Sequence, residues 1–212
     1  MVQNQGVSNQ YQWLEIAAHQ RRYFNALADV FDVPQPDGVI DRLQQIVAAA
    51  QLHPGDVVLD VGTGAGVLIP LFAPYHPSEV FACDLAEQML RRVHQRYPWL
   101  IAFQCDVVLL PLKAASVDVV FMNAMYGNIA NKAAACSNVS NVLKPNGRLI
   151  VSHPEGRGFV EELRARSDLF IESFPGPEEF RALLQPRGLE VVLYRDEPEL
   201  YLMVARKTPA GG

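Results

Sequence analysis

The stretch VVLDVGTGAG, residues 57–66, decides the reading of the fold. VVLDV (57–61) is a short apolar run interrupted by one acid, Asp60, and it reads as a strand buried on both faces, as strands of a parallel sheet are. Three glycines follow at alternate positions, Gly62, Gly64 and Gly66, and open a helix. Gly62 permits the tight turn, and Gly64 lets a ligand approach the backbone without a Cβ in the way. The helix start behind them offers unpaired N–H groups and a partial positive charge to an anionic group. A turn that merely needs glycine is the competing reading.

Outward from this stretch, strands and helices alternate. EVFAC (79–83) is a second strand, and AEQMLRRVHQRY (86–97) an amphipathic helix with Met89, Leu90, Val93 and Tyr97 inward. LIAFQC (100–105), VDVVFM (117–122) and RLIVSH (148–153) are further strands, with a helix over 130–143. Helices near 158–166 and 177–185 precede LEVVLYR (189–195) and LYLMVAR (200–206). Only Asp196 to Glu199 separate these last two strands, too short a link for a crossover helix, so they form an antiparallel hairpin. The expected fold is α/β: three layers, a seven-stranded mostly parallel sheet with helices on both faces, closed by a C-terminal antiparallel hairpin. Upstream, Tyr11 to Phe31 carries apolar residues at helical spacing, VPQPDG (33–38) breaks it, and a second helix covers 38–52. Residues 1–10 and 208–212 read as loose tails. The whole chain is expected to be one domain, with a helical region over 1–52 and a core over 53–207.

Composition narrows the class. Of 212 residues 50% are hydrophobic and 19% charged, ordinary for a folded domain of this size. A net charge of −5 weighs against a nucleic-acid partner, which needs a basic face. Arg91, Arg92 and Arg96 read as a solvated helix face. Three cysteines, Cys83, Cys105 and Cys136, are an odd number without CxxC spacing, so neither a disulfide framework nor a zinc module is expected. No apolar run approaches the ~18–20 residues of a membrane span, and the polar MVQNQGVSNQ lacks a signal core. A cytoplasmic monomer or homodimer is the default expectation.

Asp84 ends the second strand, 18 positions after Gly66. A carboxylate there accepts hydrogen bonds from both hydroxyls of a ribose, or else caps the following helix. The glycine loop and Asp84 suit both a nicotinamide dinucleotide and S-adenosylmethionine. Asp106 at the end of the third strand, Asp60 before the glycines, and LKPNG (143–147) with the terminal hairpin favour the second.

On these residues the chain resembles the class I S-adenosylmethionine-dependent methyltransferases, with their Rossmann-like fold. It is similar in pattern to the broad group containing the ubiquinone/menaquinone-biosynthesis C-methyltransferases. The resemblance covers residues 20–206. DVGTGAG resembles the first family motif, which implies cofactor contacts at Asp60, Gly62, Thr63, Gly64 and Gly66. FACDLAEQML implies the ribose role for Asp84 and adenine packing for Leu85. QCDVVLLPL puts the adenine contact on Asp106 and the Val107 backbone, and SVDVVFMNAMYGNI puts Asn123 beside the methionine. In LKPNG, Asn146 stands where the family has the first of two glycines; Asn tolerates positive φ better than most residues. RRYFNALADVFD resembles a lid helix that brings Tyr23 over the cofactor.

The acceptor is expected outside the carboxyl ends of the strands, near Asn123 to Tyr126 and His153 to Glu155. His153 is the candidate general base, its usual pKa being near neutrality; a histidine that merely shapes the turn is the alternative. Glu155 would orient His153 or act itself, Tyr126 would donate to a substrate oxygen or stack on a ring, and Arg157 would pair a substrate carboxylate. Met125, Tyr126, Phe159 and Phe174 are expected at the mouth, which favours a hydrophobic or cyclic small molecule. Asn123-Ala124-Met125-Tyr126 lacks the paired prolines of enzymes that methylate flipped bases, and no acid cluster suggests a metal. An NAD-dependent oxidoreductase and a non-catalytic cofactor-binding protein are the competing readings.

Overall fold

A computed structural model describes residues 4–31 and 34–209, with side chains from Gln12 onward. Helix α1 (Asn4–Ala26) starts the chain. The loose tail expected over 1–10 is therefore helical from Asn4; no proline before Pro34 stops it. Residues 1–3, Val33 of the Pro-rich break and 210–212 of the C-terminal tail lie outside the described residues. After α2 (Val39–Ala49) come β1 (Val57–Val61), the short α3 (Ile69–Phe72), β2 (Glu79–Asp84), α4 (Glu87–Arg96), β3 (Ile101–Gln104), β4 (Val117–Asn123) and α5 (Lys132–Val142). The chain ends with β5 (Leu143–His153), α6 (Gly156–Arg166), α7 (Pro177–Leu184), β6 (Leu189–Glu197) and β7 (Leu200–Lys207).

The strands form one seven-stranded sheet in the order β3-β2-β1-β4-β5-β7-β6. β1 to β5 pair in parallel; β7 runs antiparallel to both β5 and β6. Asp196 pairs Tyr201 and Glu197 pairs Leu200, so only Pro198 and Glu199 form the turn. Side chains alternate between two cores, as the period of two demands. Val58, Val119, Phe121, Ile150, Leu202 and Val204 pack against α2 and α3. Leu59, Val61, Val120, Met122, Leu149 and Val151 face the other way, toward α5 and α7. Both faces of β1, β4 and β5 are covered, which is why these strands read as nearly continuous apolar runs.

Two boundaries differ from the sequence reading. β3 stops at Gln104, so Asp106 does not close the strand. Its carboxylate instead accepts from Val108 N–H at 3.1 Å and starts a single 3₁₀ turn over Val107–Leu109. LKPNG lies inside β5 as an irregularity: Asn146 holds φ 65°, and the register against β4 shifts between Val117 and Val119. Among the described residues no helix is long and apolar enough to cross a membrane.

Phe121 is fully buried at the middle of the sheet, its ring 5.0 Å from that of Phe72. Phe121→Ala should cost about 3–5 kcal/mol. Urea unfolding should show this as a lower midpoint at unchanged slope; an unaltered midpoint would contradict the packing described.

Candidate active site

A cleft of about 630 Å³ opens at the carboxyl ends of β1, β2, β4 and β5, within the range of small-molecule sites. Its floor is the glycine loop. Gly62 holds φ 66°, and a Cβ there would lie 2.8 Å from Met125 Cγ, so no other residue fits. Gly64 holds φ 54° and nothing lies within 4 Å of where its Cβ would be; that space is open for a ligand. Gly62 and Thr63 N–H both donate to Cys83 O, at 2.8 and 3.1 Å. Gly64 N–H donates to Asp84 Oδ2 at 2.9 Å. Gly66 N–H closes back on Thr63 O. The free loop N–H groups expected from the motif thus narrow to Ala65, Val67 and Leu68, which meet no acceptor among the described residues. The helix behind the loop is short, four residues and one 3₁₀ turn that ends at Tyr75.

Asp84 takes one N–H on each carboxylate oxygen: Gly64 on Oδ2, and Ala86 at 2.8 Å on Oδ1. A carboxylate has about four acceptor positions, so one per oxygen remains for a diol. Burial raises its pKa, and these backbone bonds act against the rise. The helix-capping alternative is met only in part: Asp84 braces the turn into α4, whose N-cap is Ala86. The Asn25 side chain of α1 accepts from Gln88 N–H at 2.9 Å in the first turn of α4. Leu85, Asp106 and Val107 line the same end of the cleft. Burial also raises Asp106.

Asp60 is buried behind the loop, accepting from Thr63 Oγ1 at 2.7 Å. Loss of hydration pushes its carboxyl up to about 7; the Thr63 hydrogen bond opposes this and the nearby Asp84 charge adds to it. Asn123, at the end of β4, accepts from Ser152 Oγ at 2.9 Å, leaving its amide N–H groups unused by Ser152. The next residue, Ala124, holds φ 55°, a conformation L residues rarely adopt.

The roof is α1 with α2. Trp13, Tyr23, Phe24, Ile40 and Leu43 look onto the cleft. Gln20 is buried and pins α1 across it, donating to Asn128 O at 2.7 Å and Phe170 O at 3.1 Å. A polar residue at an inward helix position was the one signal for this tie. On the remaining side stand Met125, His153, Phe159, Leu163 and Ile171.

Several expected acceptor-side contacts do not form. The Tyr126 side chain lies in the core between Phe174 and Phe180, at ring distances of 5.7 and 5.3 Å, with the Lys132 ammonium 5.2 Å from its centroid. Its hydroxyl is buried without a partner, and burial holds the phenol far above its usual pKa. The 3₁₀ turn over Tyr126–Asn128 rotates the ring inward, so Tyr126 faces no substrate. Phe174 is buried beside it, not at the mouth. Arg157 is committed to Asp196 at 2.9 Å and to Tyr194 Oη at 2.6 Å. Glu155 reaches His153 through its backbone: Glu155 N–H donates to His153 Nδ1 at 3.2 Å. A lone pair on Nδ1 leaves the proton of the neutral ring on Nε2. Burial pulls the imidazole down to about 4. The ring is therefore held as a neutral donor, which does not suit the expected general base. Among the described residues no three His, Cys, Asp or Glu side chains gather to hold a metal.

Residues 59–151 match the family described as "Methyltransferase domain". A malonyl-(acyl-carrier protein) O-methyltransferase of Halorhodospira halophila is 35% identical over 137 residues, 61% of this chain and 46% of that enzyme. A ubiquinone/menaquinone biosynthesis C-methyltransferase of Syntrophotalea carbinolica is 27% identical over 190 residues, 74% of this chain and 79% of the relative. The chain spans about half the length of most of the curated relatives it matches. A Haloferax volcanii methyltransferase, solved in complex with the Trm112 methyltransferase activator, superposes with a TM-score of 0.73 at 18% identity, over 88% of this chain and 98% of that one.

The raised Asp60 carboxyl predicts a pH dependence. Between about pH 4 and pH 7 the unfolded chain ionises this group while the folded one keeps it protonated, so stability falls as pH rises through that window. Asp60→Asn should leave the melting temperature near its original value at pH 4 and raise it at pH 8. Each tenfold change in proton affinity is worth roughly 1.4 kcal/mol, so the gain is on the order of 4 kcal/mol. Equal melting temperatures of the two proteins at pH 8 would contradict the assignment.

Proposed function

We propose that this chain, whose residues 59–151 match a methyltransferase domain, is a class I S-adenosylmethionine-dependent methyltransferase and methylates a small and largely apolar acceptor held in the cleft. The observation that carries the reading is the division of that cleft. Asp60, Asp84, Asp106 and the glycine loop come from the ends of β1 and β2 and the turn after β3, whereas the apolar Trp13, Ile40, Phe159 and Leu163 come from the helices α1, α2 and α6. The residues fit the cofactor: open space above Gly64 and two spare acceptor positions on Asp84 suit an adenosyl group.

The cofactor supplies a methyl group on a sulfonium, already a good electrophile. The chain's own task is to hold, orient and dry. Asp84 would take the ribose hydroxyls, Leu85 and Val107 would pack the adenine, and Asp106 would accept from its amino group. Gly62, Thr63, Gly64 and Gly66 would bed the methionine end, with Asp60 and Asn123 beside it. The N-terminal region over 1–52 serves as the lid: Tyr23 and Trp13 cover the floor from α1, and Gln20 keeps that helix in place. Ile40 and Phe159, both exposed, border the entrance and select apolar acceptors. The relative named as a ubiquinone/menaquinone biosynthesis C-methyltransferase supports an acceptor of this kind. An NAD-dependent oxidoreductase is less well supported: β7 stands antiparallel between β5 and β6, where the nucleotide-binding order continues in parallel.

Incubating the pure protein with methyl-labelled cofactor and fractions of a cell extract should move label into an apolar small molecule. Label in no fraction, or only in macromolecules, would refute the acceptor class. Separately, Asp84→Asn keeps an acceptor for Ala86 N–H but loses the charge toward the diol. It should weaken S-adenosylhomocysteine binding by ~1.5–3 kcal/mol in calorimetry; an unchanged Kd would contradict the ribose role.

A further inference from the structure

His153 ends β5 with its side chain buried, yet on the wall of the cleft. Three contacts set the ring. The backbone N–H of Glu155 donates to Nδ1 at 3.2 Å. The Phe159 ring lies 5.3 Å away at a 33° tilt, and Phe174 meets it edge-on at 6.1 Å. β5 holds the backbone in register, with His153 opposite Tyr201 of β7. A hydrogen on Nδ1 would point at the Glu155 N–H and set two donors against each other. Nε2 therefore carries the hydrogen. Among the described residues no protein acceptor is bonded to it, and it is not one of the buried polar atoms left without a partner. A donor of this kind, in a wall of Phe159, Leu163 and Ile171, has a use only when a ligand brings an acceptor atom.

We propose that His153 is a specificity-determining hydrogen-bond donor, and that the methyl acceptor is an apolar molecule carrying an oxygen that receives Nε2–H. This rests on the acceptor-binding reading of the cleft given above and names the chemistry recognised there: a ketone, phenol or carboxylate oxygen on a hydrophobic body. His153 removes no proton. An acceptor lacking the oxygen leaves the N–H dehydrated and unmatched, and it is rejected for that reason.

Two measurements on the full chain with S-adenosylhomocysteine present test the proposal. In long-range ¹⁵N–¹H spectra His153 should be the neutral Nε2–H form from pH 6 to 8; an Nδ1–H form or an imidazolium at pH 7 would overturn it. The second uses indan-1-one and indane, one ring system with and without a carbonyl, titrated while following the backbone amide resonances of Leu163 and Ile171, which line the same wall and are kept in every variant. The preference for indanone over indane should fall at least fivefold in His153→Phe, which keeps the ring and loses the donor. It should return in His153→Gln, whose amide can accept from Glu155 N–H and still donate. A preference unchanged in His153→Phe would refute the donor role, and so would failure of both probes to bind. In either of those cases retained S-adenosylhomocysteine binding would leave the methyltransferase reading standing, whereas its loss in the unaltered protein would remove that reading itself.

Discussion

The Asp84 carboxylate holds together the two chain crossings from which the site is built. One oxygen takes the N–H of Gly64, in the loop after β1; the other takes the N–H of Ala86, in the turn into α4. Two βα junctions, 20 residues apart in sequence, are clamped by one side chain. The neighbouring carbonyl of Cys83 bonds Gly62 and Thr63 N–H and completes the clamp from the backbone. The carboxylate is desolvated, which raises its pKa, and the backbone N–H bonds oppose that rise. A loop made of glycines has no side chains with which to hold its own shape, so this bracing is what makes its left-handed residues a fixed surface.

The rest of the sheet serves that clamp. Parallel pairing of β2, β1 and β4 brings three strand ends to one edge, and burial on both faces prevents their slipping. α1 then closes the top through Gln20 and Asn25, two polar residues on a helix that otherwise packs by aromatic contacts such as Tyr23 with Phe24. Each amide meets backbone groups that would otherwise lack a partner, so the roof is located by directional bonds as well as by apolar area.

Residues at the strand ends diverge in fate for reasons of backbone geometry. Asn123 and His153 are the last residues of β4 and β5, and both reach the cleft at those strand ends. Tyr126 lies three residues beyond β4, past a left-handed Ala124 and inside a 3₁₀ turn, and its ring swings into the core. Proximity in sequence to a functional strand end thus carries information only while the strand persists.

Much of the architecture was legible from patterns with a physical period. Apolar runs marked strands buried on both faces, glycine spacing marked the loop, and a four-residue link forced a hairpin. The continuous run LYLMVA against the charge-dotted LEVVLYR even foreshadows β7 as the inner strand and β6 as the edge, although that order was settled only by packing. Local chemistry likewise placed Asp60 and Asp84 at strand ends, whereas Asp106 lies past the end of β3. What sequence could not decide were matters of distance and direction: which loop N–H groups were already bonded, which aromatic faced inward, and which nitrogen of His153 kept its proton. Those depend on atoms from segments far apart in the chain, and short-range hydrogen bonding and desolvation act only once the fold has brought such atoms within a few ångströms.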